Sequence, residues 1–309
     1  RTSPARARER PALTRPAADD LEGWIAALTE NPADTDALDA VAQLEAGARA
    51  DENAERLIEI LLARVEHGDS AAERAAFLRE LAVIYERQVG DLPHAFTALT
   101  AGLREDPTDQ DLLADAERLA AETDGWGELV QHLSEIIPTL TDKTIAAKYW
   151  ARVGSFYHDK LRHDDYAVTS HLEAIKLDDR HAPAHAGLAV IYRKQQKWGD
   201  LAAAMEAHAH IEADVDKKID LYLELGDLHE TQLASTARAI ESYEKALAAD
   251  ASNQDALAAL ERLYRRDELW GRLAHVIEKR ADMIEGSDPA RAGQLRKDLA
   301  QLRSEKLGD

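Results

Sequence analysis

Residues 150–174 read WARVGSFYHDKLRHDDYAVTSHLEA. Trp150, Val153, Gly154 and Tyr157 recur at helical spacing, and after a charged break Ala167 and Ala174 recur at helical spacing again. This is the pattern of two short helices folded back on each other. Moving 72 residues forward finds it once more, as Tyr222, Leu225, Gly226 and His229 followed by Ala239, Tyr243 and Ala246. Moving 72 residues back finds Leu78, Leu81, Ala82 and Tyr85, then Ala95. A pattern that repeats with small and large residues in fixed columns marks an array of like units, and each unit completes its core only against its neighbours.

Tryptophan sets a second group of columns in the same register. Trp126, Trp198 and Trp270 lie 72 residues apart, each followed three residues later by Leu129, Leu201 or Leu273. One period earlier stand Ala54 and Leu57, so the leucine column is four copies deep although the first tryptophan is absent. Since 72 is twice 36, and each half holds two apolar-periodic stretches of about 12 to 18 residues, the unit is a helical hairpin. The connecting segments NPADTDAL from Asn31, DPTDQDLL from Asp106 and DASNQDAL from Asp250 each offer an Asp or Asn to cap the next helix.

These residues resemble the tetratricopeptide repeat, whose pattern is W-x2-L-G-x2-Y, then A-x3-F and a late proline. Pro107 closes one copy, whereas Asp179 and Ala251 stand where later copies would close with proline, and His171 replaces an aromatic residue. The resemblance implies an all-α, right-handed solenoid superhelix of about seven to eight helix-turn-helix units. In this register a second helix occupies 19–32, hairpins fall near 33–70, 71–107, 108–142, 143–179, 180–215, 216–251 and 252–287, and a lone helix occupies 288–309. LEGWIAALTENP at 21–32 reads as a second helix without its first. AQLRSEKLGD from Ala300 repeats the register of AVIYERQVGD from Ala82, which precedes a second helix. An array with unfinished hairpins at both ends is expected to be a fragment of a longer chain.

Composition narrows the function. Thirty-one per cent charged residues and only 5% aromatics argue for modular packing over two large cores. With no cysteine there is no disulfide, thiolate metal site or catalytic thiol, and the compartment stays open. The longest apolar stretches, such as LIEILL from Leu57, are far short of the roughly 20 residues that span a bilayer. Lys and Arg number 38 against 59 Asp and Glu, a net charge of −21 that repels duplex nucleic acid. Residues 1–18 differ, with five Arg against one Glu and three Pro; they read as a disordered, solvated arm, with a polyanion-binding arm as the alternative, and leave the body near −25. The Ala-rich, Arg-rich composition suggests GC-rich bacterial coding.

No phosphate loop, nucleophile elbow or paired catalytic carboxylates can be singled out, so no catalysis and no cofactor are expected. His181 and His185 have the i, i+4 spacing of metal ligands but lack an accompanying Glu motif, and His208 and His210 cannot share a helix face. All four read as exposed or partly packed histidines, and no metal is expected. In the family resembled, first helices line a concave wall that holds protein or peptide. The resemblance places there Arg79, Glu86, Arg118, Lys148, Arg152, Ser155, His158, Arg193 and Lys194, then Asp220, Glu224, Asp227, Arg262 and Arg265. The wall so drawn is basic in the middle and acidic in the following unit. The Lys and Asn clamp with which some family members grip a terminal carboxylate is missing, since Asp115 and Arg118 stand where its amide partners would. The expected function is a scaffold or adaptor; the alternative is a spacer that self-associates end to end through its unfinished hairpins.

Overall fold

The computed structural model describes residues 15–308, and they contain sixteen α-helices and no strand. The chain divides after Leu140 into two compact units. In the first lie α1 (Leu21–Glu30), α2 (Thr35–Ala50), α3 (Ala54–His67), α4 (Ala71–Ile84), α5 (Leu92–Glu105), α6 (Gln110–Thr123) and α7 (Trp126–Ile136). In the second lie α8 (Lys143–Asp159), α9 (Asp164–Leu177), α10 (Ala182–Lys194), α11 (Trp198–Ile211), α12 (Val215–Thr231), α13 (Thr236–Ala249), α14 (Gln254–Arg266), α15 (Trp270–Ile284) and α16 (Pro289–Leu302). Within each unit every helix packs on the next, in the nearest-neighbour manner of hairpin arrays.

Helix starts follow from the sequence. Asp34, Asp109, Asp142 and Asp214 each accept two backbone N–H groups of the helix they precede, while Asn53, Asn253 and Asp288 accept one. Those N–H groups have no partner within their own helices, so each cap is worth about 1 kcal/mol.

The two kinds of hairpin turn differently. In one kind a residue in the left-handed region reverses the chain: Glu52, Asp124, Gln196 and Glu268, with φ of 52°, 57°, 56° and 57°, stand 72 residues apart. The next residue donates its N–H five residues back, as Lys197 does to Tyr192 at 2.9 Å and Leu269 to Tyr264 at 2.8 Å. In the other kind Gly90, Arg162 and Ala234 are left-handed, again 72 residues apart. There the closure reaches six residues back, from Asp91 to Tyr85, His163 to Tyr157 and Ser235 to His229, each at 2.8 Å. The wider closure accommodates the extra residue of these hairpins. After α4 it forms a π-helical turn, Tyr85–Val89, and the same turn recurs after α16 at Arg303–Leu307, followed by a left-handed Gly308. A Cβ at Gly90 would meet no atom, so Gly90→Ala is expected to cost only the left-handed penalty, about 1 kcal/mol, in chemical denaturation.

The predicted columns form the core. Leu57, Leu129, Leu201 and Leu273 are buried, whereas Trp126, Trp198 and Trp270 open α7, α11 and α15 and are half-buried. Ala167, Ala174, Ala239 and Ala246 are fully buried. Glycine permits ring contacts: a Cβ on Gly226 would lie 2.6 Å from the Tyr243 ring, and one on Gly154 or Gly187 would lie 2.8 or 2.4 Å from the His171 ring. His171 is thus wedged between α8 and α10.

Most of the arm expected at 1–18 lies outside the described residues. Its described end is held in place, because Trp24 Nε1 donates to the Ala17 carbonyl at 2.8 Å and Arg15 lies over the Trp24 ring and pairs with Asp36. The expected disorder therefore does not reach Arg15–Ala17.

Candidate partner-binding face

The first helices of the hairpins expose stripes at helical spacing. In the second unit these are Lys148 and Arg152 on α8; Pro183, Val190 and Arg193 on α10; Asp216, Asp220, Glu224 and Asp227 on α12; and Asp255, Ala258, Arg262 and Arg265 on α14. Ion pairs show which stripes adjoin. Arg193 reaches Glu224 at 2.5 Å, joining α10 to α12, and Arg262 grips both oxygens of Glu230, joining α12 to α14. Helix α8 packs directly on α10, at whose head burial depresses the pKa of His181 and the charge of Lys148 acts in the same direction. The stripes therefore share one side of the unit.

Many of the predicted wall residues are committed to carboxylates of the chain itself. In the first unit Arg79 binds Asp111 at 3.2 Å and Asp115 at 3.3 Å, while Arg118 makes two bonds of 2.8 Å to Glu86 and one of 3.0 Å to Glu122. In the second, His158 and Lys194 both hold Asp164, at 2.7 and 2.8 Å, and Arg265 binds Glu261 at 3.1 Å. The Ser155 hydroxyl donates to the Ala151 carbonyl of its own helix. Arg152 lies over the Phe156 ring. Lys148 and Asp220 are exposed and make no ion pair or hydrogen bond through their side chains among the described residues. Asp227 is also exposed, and its charge helps to raise the Arg262 pKa.

The recurrent pairs join residues 31 or 32 apart. Arg79–Asp111, Arg193–Glu224 and Glu230–Arg262 each link equivalent helices of successive hairpins, and Glu86–Arg118 links the π-helical turn after α4 to α6. Hydrogen bonds from Arg118 and Arg262 hold the carboxyls of Glu86 and Glu230 below the usual range. Exposed pairs of this kind add at most about 1 kcal/mol each, so their main effect is on register between hairpins.

These arrangements fix the fold assignment. Two-helix units recur at one register, with small residues at the close approaches and exposed stripes on the first helices. The fold is a divergent tetratricopeptide-like repeat. No protein-family model matches the chain, and no curated protein matches its sequence. Solved structures similar to it include MamA, 19% identical over 57% of this chain and 91% of that one with a TM-score of 0.39. Another is the C-terminal part of a TPR repeat-containing protein from Cytophaga hutchinsonii, at 16% identity, 77% and 98% coverage and a TM-score of 0.42. A third is YrrB, described as a TPR protein with an unusual peptide-binding site, at 14% identity, 65% and 98% coverage and a TM-score of 0.38.

The tetratricopeptide-like face differs from the sequence reading in two respects. Between the basic α8 and the acidic α12, the α10 stripe carries the apolar residues Pro183 and Val190, the latter 52% exposed, before it ends in Arg193. Selecting polar residues overlooked these two, although register offered a signal, because Val190 stands 72 residues before Arg262. Nor are His181 and His185 exposed or partly packed: both are buried. His181 Nδ1 accepts the Ala184 N–H and caps α10, and the His185 ring bonds the Asp179 carbonyl at 2.9 Å. Their spacing serves a helix start. No group of three or more His, Asp or Glu that could hold a metal occurs among the described residues, and no described helix is long and apolar enough to cross a membrane.

Proposed function

We propose that the chain is a scaffold that holds a segment of another protein along the first-helix face of residues 141–308, without catalysing a reaction. The observation that carries this reading is the order of the bands across that face: basic on α8, apolar on α10, acidic on α12. Charge of both signs flanking an apolar strip orients a partner, while the strip supplies burial. Lys148 and Asp220 stand on opposite sides of Val190 with no intramolecular partner to give up. The perturbed carboxylates Asp164 and Glu230 are instead held ionised by Lys194 and Arg262, as struts between helices and not as proton donors. An acidic surface also favours neutral or basic partners over nucleic acid.

The test is affinity capture from the native source with the intact chain and with a variant carrying Lys148→Glu and Asp220→Lys. Both positions are exposed, so the variant keeps the fold, which circular dichroism checks. Loss of at least one captured protein by about tenfold is expected; identical recovery of every protein would remove the assignment.

A further inference from the structure

Four arginines of the second unit come together at α14 and α15. A cleft of about 440 Å³ there is lined by Ala258, Glu261, Arg262, Arg265, Arg266 and Arg280. Two carboxylates organise the four guanidinium groups from below. Glu230 receives Arg262 and, at 3.4 Å, Arg266, which also donates to Asp267 at 3.1 Å and to the Thr236 hydroxyl at 2.6 Å, while Glu261 receives Arg265 and Arg280. Both carboxylates are shielded, with 14% and 16% of their side chains exposed, whereas Arg262, Arg265 and Arg266 expose 58%, 60% and 47%. The acids thus form an inner layer and the guanidiniums an outer one. Each guanidinium carries five N–H donors, and the inner layer uses only some of them.

We infer that this cleft is a subsite for an acidic segment of a protein partner, whose carboxylates bind the outward edges of Arg262 and Arg265, with Arg266 adding charge beside them. It rests on the reading of the chain as a holder of protein segments and says which chemistry one end of the face selects. Three features favour this ligand. The guanidiniums are already fixed by Glu230 and Glu261, so little side-chain freedom is lost when an anion arrives. The pairing below shows that one carboxylate fits across two of these arginines, and the same spacing is offered above. The lining has no aromatic ring on which a nucleobase could stack, and the carboxylates of Glu230, Glu261 and Asp267 beside the arginines oppose dense phosphate charge.

A fluorescein-labelled hexaglutamate peptide, titrated with the full chain in low salt and followed by anisotropy, tests this. Saturable binding is expected, weakened at least about tenfold by Arg265→Glu. Arg296→Glu reverses another exposed arginine, one that binds Glu285 outside the cleft, and is expected to leave binding unchanged. Absence of saturable binding, equal weakening by the two reversals, or full displacement by millimolar inorganic phosphate would each overturn the inference. The variant carrying Lys148→Glu and Asp220→Lys separates the two readings. If it still binds hexaglutamate but captures every cellular protein as before, the first-helix reading fails and the cleft stands. If capture changes while hexaglutamate never binds, the cleft fails and the first-helix reading stands.

Discussion

Acidification from pH 6.5 towards 4 is expected to remove about 3 kcal/mol of stability through His171 alone, and His171→Phe is expected to flatten that part of the acid limb. The ring is 1% exposed, and its Nδ1 has no hydrogen-bond partner among the described residues. Burial pushes its pKa from 6.5 to about 4; the charges of His158 and His181 act in the same direction, and Asp159 opposes them. The sign follows from proton counts. Between pH 4 and 6.5 the unfolded chain carries a proton on this imidazole and the folded chain does not, so stability rises with pH across the window. The contribution is fully present above 6.5 and is lost as pH falls to about 4. His229 is likewise buried with its pKa lowered by burial, so the variant should keep part of the acid sensitivity. Phenylalanine retains a ring between Gly154 and Gly187, and Tyr243 fills the equivalent place against Gly226. Urea denaturation of both proteins at a series of pH values measures the effect; parallel profiles would exclude His171 as its source.

His171 also marks how far the sequence could be read. As a departure from an aromatic column it was visible, and its packing role follows from register. Its isolation was not, because the second glycine against it, Gly187, comes from a hairpin outside the period on which residues 150–174 align. The hairpins, their caps and the leucine column were legible for a plain reason: each depends on residues a few places apart or on one repeated spacing. The left-handed turns at Asp124, Gln196 and Glu268 obey the same 72-residue spacing, yet they carry no glycine and so gave no turn signal. The site was less legible still. A sequence shows which arginines face outward on a first helix, but not that Asp111, Glu224 and Glu230 on neighbouring first helices, and Glu86 in the turn after one, reach them. Pairing is decided by side chains about 31 residues apart, and alternation of charge between equivalent positions was the only available hint.

Leu201→Ala is expected to cost about 3 kcal/mol, and the cost should be local. Leu201 is 1% exposed and belongs to a core cluster with Met205, Ile219, Tyr222, Leu225 and Leu228, contributed by α11 and α12. Truncation removes apolar burial and leaves a cavity whose walls are helices already fixed by their neighbours, so collapse can recover only part of the loss. In a protein with one central core such a cavity would lower protection everywhere. Here the contacts run from helix to adjacent helix, and a defect at α11 first opens the hairpins that include it. Native-state amide exchange should therefore lose protection on α10–α13, by about two orders of magnitude where local opening carries the full 3 kcal/mol, while residues 15–140 keep theirs. Uniform loss over both units would show a single cooperative core and would contradict the hairpin-by-hairpin stability on which an extended binding face depends.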